Sequence, residues 1–264
     1  MISRVTADEI VRQADSGRTR PIIVLCEAES DQPFEVFCKL SAGCFEGVVS
    51  LAREVVAACL AADLSLPVPT PYLVEIPSDL ASAVKEGDIS SRLRNSSPVG
   101  FGSRNVERQF GVWTTGIRVT DAMLSTALGA LVFDAVIDNA DRRPSNPNCL
   151  VSGDDLRLID HELAFTRTAG LIDWRPPWQA GALRWLDEID GHIFASGLKP
   201  HRLDFGSLAA LWSALSDDRL SEYRDAIPPE WDEALPAVDE ALGRVRDARD
   251  NFDGVIAEVE RVLQ

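Results

Sequence analysis

Two acids and an amide stand close together in a polar segment between two apolar runs of the chain. Asp141, Asn146 and Asp160 belong to residues 133–165, where carboxylates and amides are concentrated. Carboxylate and amide oxygens are the hard ligands that Mg²⁺ prefers in proteins. If the fold brings the three side chains together, the segment predicts an oxygen-rich magnesium site.

A β-hairpin is the local structure that the segment favours. Residues 149–151 form a short apolar run, and residues 156–159 form a second one. The residues between them, Ser-Gly-Asp-Asp, are typical of a tight turn, because glycine supplies positive φ and serine and aspartate bond their own backbone. With the turn centred near Gly153, the numbers of paired residues sum to about 307.

This register decides where the polar residues meet. Asp160 is expected opposite Pro147 and beside Asn146, at the end of the hairpin. The loop that carries Asp141 enters the hairpin at the same end. The sequence therefore predicts that the two acids and the amide converge.

Lys39 and Glu54 are two further candidates for chemistry, and they lie upstream. Residues 34–40 predict a strand, with Phe34, Val36 and Cys38 on one face and Glu35, Phe37 and Lys39 on the other. Residues 48–62 carry apolar residues at helical spacing. Lys39 is thus predicted on a strand and Glu54 on the helix that follows. The other elements predicted nearby are a helix at 6–14 with a Thr6–Glu9 capping box, and strands at 22–26 and 72–76.

The rest of the chain is predicted to be mainly helical. Residues 89–105 are rich in serine, glycine and arginine and predict a mobile loop, and the division between the two lobes is placed within residues 78–105. A helix from Thr120 or Asp121 to Ile137 is apolar on nearly all sides, so it is expected to be buried. Residues 166–205 are expected to be irregular, and the remainder shows helical spacing with a break near residues 251–254.

Composition excludes several classes of function. The 264 residues carry a formal net charge of −16, and such a field repels nucleic acid and anionic membranes. Neither a signal segment nor an apolar run long enough to span a membrane is found, so the protein is expected to be cytoplasmic. The five cysteines show no C-x-x-C spacing and are expected to be buried free thiols.

The candidate residues follow an order that suits phosphoryl transfer. A strand lysine tethered by a helix glutamate fixes a cation over nucleotide phosphates. Asp141 would orient or deprotonate the attacking hydroxyl, and Asn146 and Asp160 would hold Mg²⁺. This order is that of the protein-kinase-like fold.

Residues 139–150, followed by Ile-Asp-His at 159–161, resemble the signature of HipA-like kinases. The strand ending at Lys39 and the Arg-Glu pair that includes Glu54 resemble the lysine strand and glutamate helix of that family. The resemblance implies an α+β, two-lobed protein-kinase-like fold with a small β-rich N-lobe (1–77), a hinge and mobile loop (78–110) and a mainly helical C-lobe (111–264).

The resemblance also implies ATP and Mg²⁺ as cofactors, bound between the lobes, and a protein Ser/Thr substrate. It assigns Lys39 to the phosphates of the cofactor and Glu54 to the tethering of Lys39. It assigns Asp141 and Asn146 to catalysis, and Asn146 and Asp160 to the metal. Glu75 and Ile76 would offer hinge backbone groups to adenine. A regulatory protein, or a partner of the toxin–antitoxin type, is among the partners that the family implies. Neither nucleic acid nor a membrane is expected as a partner.

Three alternatives stay open on the sequence. The first is a catalytically silent kinase-like module, because residues 16–20 are only a candidate phosphate loop by position. The second is a small-molecule kinase of the aminoglycoside type, although the His-Gly-Asp expected ahead of Asn146 is missing. The third, a metallophosphoesterase, is remote because the chain holds only three histidines.

Overall fold

The computed structural model describes residues 2–15, 17–27, 32–106, 109–166 and 175–264. These residues divide into two compact units. Unit 1 comprises Met1–Cys59, Pro69–Glu107 and Glu222–Asp239, and unit 2 comprises Leu60–Val68, Arg108–Ser221 and Glu240–Gln264. Strands dominate the amino-terminal part and helices the carboxy-terminal part, so the predicted α+β class is confirmed.

Unit 1 is built on a closed barrel of five strands in the order β1-β2-β3-β5-β4. The strands are β1 (Ser3–Gln13), β2 (Ile22–Cys26), β3 (Phe34–Lys39), β4 (Pro71–Glu75) and β5 (Val99–Arg104). Neighbouring strands are antiparallel except β1 and β4, which are parallel. Val36 and Cys38 face the barrel core, because alternate residues of a strand lie on the same face.

The prediction of a helix at residues 6–14 is wrong, because residues 6–13 belong to the strand β1. Its pairing with β2 shifts register between Ala7 and Glu9 and again between Ile10 and Arg12. Each extra residue interrupts the period of two. The apolar positions at 7, 10, 11 and 14 therefore mimic the spacing of an amphipathic helix.

The mobile loop predicted within residues 78–110 is also corrected. This region contains α2 (Ser78–Ala83), α3 (Asp88–Arg94) and the strand β5, which pairs with both β3 and β4. Glycine is required in β5 because the barrel interior is crowded there. A Cβ at Gly102 would lie 2.5 Å from Val74 Cγ2 and 2.6 Å from Val36 Cγ1. Gly100 and Gly102, which made the sequence look like a loop, are thus required by the packing of a strand.

We expect Gly102→Ala to lower the free energy of unfolding by about 1–3 kcal/mol, because the added methyl overpacks the barrel. The matched control is Gly116→Ala, where a Cβ would meet no atom within 4 Å. Urea denaturation followed by circular dichroism measures both. Equal stability of the two variants would show that the barrel relaxes around the methyl group without cost.

Unit 1 also includes residues 222–239, which the sequence places in the C-lobe. Trp231 is fully buried, and its Nε1–H lies 3.2 Å from both Val99 O and Ser97 Oγ. Arg4 and Glu230 form an ion pair. These contacts join positions far apart in the sequence, so no local pattern reveals them. The helix α1 (Val48–Asp63) follows β3 as predicted.

Unit 2 combines a small sheet with helices. The sheet consists of β6 (Gly111–Val112), β7 (Cys149–Ser152) and β8 (Asp155–Leu158), in that order. The helices that follow α3 in the chain are α4 (Leu124–Ile137), α5 (Ala195–Leu198), α6 (Gly206–Ser213), α7 (Asp217–Asp225), α8 (Leu235–Asp250) and α9 (Phe252–Leu263). The break between α8 and α9 confirms the predicted interruption. Residues 167–174 of the segment predicted to be irregular lie outside the described residues.

Helix α4 is the core of unit 2. Every residue from Ala127 to Ile137 is buried, as the apolar sequence predicts.

Among the described helices, none combines the length and the apolarity needed to cross a bilayer. All five cysteines lie in described ranges and are free thiols, and Cys26, Cys38 and Cys149 are buried. Burial raises the pKa of the Cys149 thiol to about 11.

Candidate active site

Lys39 and Glu54 form a close ion pair within unit 1. Lys39 Nζ lies 2.5 Å from Glu54 Oε1, and the two side chains are only 12% and 3% exposed. A buried charge that loses its partner is strongly destabilising. The pair therefore fixes the lysine ammonium in one position. The structure brings together these two predicted residues, and their role toward a nucleotide stays a prediction.

The position of the pair follows from its two elements. Lys39 is the last residue of β3 and pairs with Phe101 of β5. Glu54 lies in the middle of α1, where its neighbours Leu51 and Val55 are fully buried. Because α1 is buried on nearly all sides, the Glu54 side chain is enclosed by its neighbours and cannot rotate into solvent.

The hairpin of unit 2 has the predicted register. Cys149 pairs with Leu158 and Ser152 with Asp155, so the paired numbers sum to 307. The ladder continues by one bond, from the Ile159 N–H to the Asn148 carbonyl oxygen at 3.0 Å. Asp160 therefore follows β8 at the level of Pro147, as the turn chemistry predicts.

The loop that enters the hairpin is a tight turn that holds Asp141. Arg143 and Asn146 exchange backbone hydrogen bonds of 3.2 and 2.9 Å. Asn146 Nδ2 donates to Asp141 Oδ2 at 2.8 Å, and Asn148 Nδ2 lies 3.4 Å from the same oxygen. The structure thus brings Asp141 and Asn146 into contact. Asn146 keeps its Oδ1 as an acceptor.

Backbone strain is concentrated in the same region. Asp138, Asn148, Asp160 and Phe165 all have positive φ, between 44° and 61°. Such conformations cost non-glycine residues about 1–3 kcal/mol each and cluster at functional sites. The strain is compensated by bonds such as that from the Phe165 N–H to the Ile137 carbonyl at 2.6 Å.

A buried ionic network lies beneath the turn. Asp134 and Arg142 are both fully buried, with Arg142 Nε 2.5 Å from Asp134 Oδ2. The Asp134 carboxylate also accepts from Asn139 Nδ2 at 2.8 Å and contacts His192 Nε2 at 2.9 Å. Helix α4 supplies the aspartate, and the turn supplies the arginine. The network therefore anchors the turn to the core.

Arg142 extends the anchor to both strands of the hairpin. Its Nη1 donates to the carbonyl oxygen of Asn148 and lies 3.3 Å from that of Ile159. Its Nη2 lies 2.9 Å from His161 Nε2. Because a guanidinium only donates, His161 Nε2 accepts this bond. His161 is thus a buried histidine with a satisfied hydrogen bond.

The charge states of the network follow from its contacts. Burial by itself would raise the pKa of Asp134, but the charge of Arg142 and the bond with His192 hold it well below its ordinary value. Burial lowers the pKa of His192, and Asp134 opposes this only in part. The Phe194 N–H lies 3.3 Å from His192 Nδ1. Neutral His192 therefore carries its proton on Nε2, facing Asp134.

Sequence reasoning missed Asp134, Asn139 and His192. One signal could have revealed Asp134, since a single carboxylate within an apolar buried helix requires a cationic partner. No comparable signal exists for His192, because its carboxylate partner Asp134 lies 58 residues away in the sequence.

Glu75 and Ile76, the residues predicted to offer backbone groups to adenine, lie at the end of β4. Glu75 pairs with Thr6 of β1 and with Val99 of β5, so β4 is an interior strand of the barrel. The Ile76 N–H donates to the Pro98 carbonyl at 2.8 Å. The Ile76 N–H is thus engaged within the fold, and the contact of Glu75 and Ile76 with adenine stays a prediction.

The loop before β2 is anchored by an arginine. Arg92 Nη1 donates to the carbonyl oxygens of Thr19 and Arg20, at 3.3 and 2.5 Å. Ser16, the first residue of the candidate phosphate loop, lies outside the described residues. The carbonyls of the loop thus face a guanidinium of α3.

The polar side chains of unit 2 offer oxygen ligands to a metal. Among the described residues, no group of three or more His, Cys, Asp or Glu side chains is arranged as a metal site. The predicted set is of another kind, with Asp141, Asn146 and Asp160 supplying two carboxylates and one amide oxygen. Such a set suits a hard divalent cation that keeps some of its water ligands.

Comparison with known proteins bears on the family and on the fold. The sequence model of the family described as HipA-like kinase matches residues 7–252. No curated protein sequence matches the chain. Among solved structures, the proinflammatory kinase CtkA of Helicobacter pylori is similar, with a TM-score of 0.53 and 11% sequence identity over 98% of this chain and 99% of that chain. The similarity to CtkA concerns the fold, whereas the family match covers most of the sequence. The chain belongs to the family of HipA-like kinases.

Proposed function

We propose that the protein is an ATP- and Mg²⁺-dependent kinase that transfers the γ-phosphate to serine or threonine hydroxyls of a protein. The observation that carries the proposal is the contact of the Asp141 carboxylate with the Asn146 amide at 2.8 Å. A catalytic aspartate followed by an asparagine in one loop is the arrangement of kinase catalytic loops. Membership of a kinase family supports the same chemistry.

Asp141 is assigned the role of orienting the acceptor hydroxyl and taking its proton. Its Oδ2 is held by the amides of Asn146 and Asn148, and its Oδ1 lies 3.7 Å from Arg143 Nε. The carboxylate is 23% exposed, so a substrate can reach it. A general base must lie within hydrogen-bond reach of the proton that it takes.

Lys39 is assigned to the phosphates of the nucleotide. Its ammonium can donate three hydrogen bonds, and the contact with Glu54 uses one of these directions. A fixed cation stabilises charge on phosphate oxygens more than a mobile one, because it needs no reorganisation.

Asn146 and Asp160 are assigned to Mg²⁺. The donor set fits the ion, because the Asn146 amide nitrogen is turned to Asp141 and leaves the amide oxygen as a ligand. When bound, the ion would neutralise negative charge on phosphate oxygens.

The test is transfer of ³²P from γ-labelled ATP to protein in the presence of Mg²⁺. We expect transfer by the wild type, and a loss of about 10²-fold or more in Lys39→Met and Asp160→Asn. Lys85→Met is the matched control, since Lys85 is an exposed lysine of the same unit. Absence of both ATP binding and transfer in the wild type would refute the proposal.

A catalytically silent kinase-like module is the second candidate. The loop of Thr19 and Arg20 favours it, because its carbonyl oxygens are bound by Arg92, whereas phosphate loops present N–H groups. A thermal shift measured with ATP and Mg²⁺ separates the two candidates. Stabilisation by ATP without transfer to any protein would favour the silent module.

A further inference from the structure

A cavity of about 470 Å³ in unit 2 borders the catalytic turn, which is the turn of residues 141–146. Its walls come from the segment that contains Trp113, from Pro144 of the turn, and from residues 186–201. Pro144 lies between Asp141 and Asn146 in the sequence. The cavity is therefore next to the loop at which an acceptor hydroxyl must arrive.

Specific bonds tie residues 190–193, which belong to the segment that forms one wall of the cavity, to the catalytic turn. Asp190 accepts from Ser145 Oγ at 2.8 Å and pairs with Arg143 Nη1 at 3.1 Å. The Ile193 N–H donates to the Arg142 carbonyl at 3.2 Å. The Arg143 guanidinium contacts both carboxylates, with Nε 3.7 Å from Asp141 Oδ1 and Nη1 3.1 Å from Asp190 Oδ2. A side chain bound in the cavity would therefore lie close to the Asp141 carboxylate.

The lining indicates the chemistry of the occupant. Trp113, Ile117, Val119 and Ile193 give the cavity apolar walls. Pockets of this size take small molecules or side chains. An apolar side chain that enters would be removed from water, which is favourable.

Charged and apolar groups at the cavity favour a protein over a small molecule. Arg118 and Glu188 line it and are exposed, and neither forms an ion pair within the part of the chain that the structure describes. Ile189, in the same lining, is fully exposed to solvent. A small molecule inside the cavity would leave these groups in water, whereas a peptide segment that runs across the opening would cover them.

We propose that this cavity receives an apolar side chain that flanks the accepting serine or threonine of a protein substrate. The inference rests on the proposed function, since it names how the acceptor of that reaction is recognised. The rim charges would select neighbouring residues of the substrate, with Arg118 favouring an acidic residue and Glu188 a basic one.

The test uses a library of Ser/Thr peptides in which each flanking position is fixed in turn to every amino acid. Wild-type protein, labelled ATP and Mg²⁺ are expected to show preference for an apolar residue at one flanking position. For the best peptide, Ser196→Trp is then expected to raise KM about tenfold or more, because the indole fills the cavity from an exposed position on α5. Ile189→Asp is expected to raise the same KM from the rim.

Ser213→Trp is the matched control, since Ser213 is an exposed serine on another helix of unit 2. Thermal unfolding confirms that each variant folds. Peptide phosphorylation with no apolar preference, or with an unchanged KM in both cavity variants, would overturn this inference and leave the proposed function intact. Transfer by the wild type to small-molecule hydroxyls alone would overturn it in favour of a small-molecule kinase. Absence of any transfer would refute the proposed function and this inference together.

Discussion

Replacing Asp141 with asparagine is expected to lower the rate of phosphoryl transfer by about 10²–10⁴-fold, the usual contribution of a general base. Asparagine has the shape of aspartate, and its carbonyl oxygen can still accept the bond from Asn146 Nδ2 that the wild type forms at 2.8 Å. It cannot take a proton from the acceptor. Single-turnover transfer measures the chemical step, and the ATP-induced thermal shift is expected to persist.

Asp155→Asn is the matched control for Asp141→Asn. Asp155 is an exposed aspartate at the start of β8, in the same hairpin. We expect this variant to transfer phosphate as the wild type does. Two outcomes would contradict the role of Asp141. Retention of the wild-type rate would place the base elsewhere, and recovery of the rate at raised Mg²⁺ would make Asp141 a metal ligand.

Local sequence patterns predicted the hairpin after Asp141 and the Lys39–Glu54 pair better than they predicted the barrel. The hairpin register could be read from the sequence because Gly153, with a φ of 59°, and its neighbours define one turn. That turn alone decides that Asp160 comes level with Pro147. Likewise the strand of Lys39 and the helix of Glu54 have clear periodicity, and their ion pair follows from adjacent elements.

The errors occurred where distant parts of the chain decide the structure. β1 looks helical because its bulges are imposed by pairing with β2. β5 looks like a loop because Gly100 and Gly102 are needed where three strands approach closely. Neither requirement is visible within the segment itself. His192 was missed for the same reason, because its contact with Asp134 joins residues 58 positions apart in the sequence.

The buried pair of Asp134 and Arg142 yields the largest expected effect on stability. Arg142→Leu is expected to lower the free energy of unfolding by about 3–5 kcal/mol, because it leaves a carboxylate buried without its guanidinium. Arg143→Leu is the matched control. Its side chain is 45% exposed and pairs with Asp190 at the surface, so a loss of about 1 kcal/mol or less is expected. Urea denaturation at pH 7 measures both variants.

The pH dependence distinguishes a charge effect from a packing effect. In the wild type the pKa of Asp134 is lowered by folding, so its contribution is present above the pKa of the unfolded chain and is lost as the pH falls through the lower folded pKa. Without Arg142, burial raises the pKa of Asp134, and protonation then favours the folded state. The stability difference between wild type and Arg142→Leu is therefore expected to narrow as the pH is lowered from 7 toward 4. A difference that stays constant over this range would mean that Arg142 stabilises the turn by packing and by its bonds to the hairpin carbonyls, and not by neutralising Asp134.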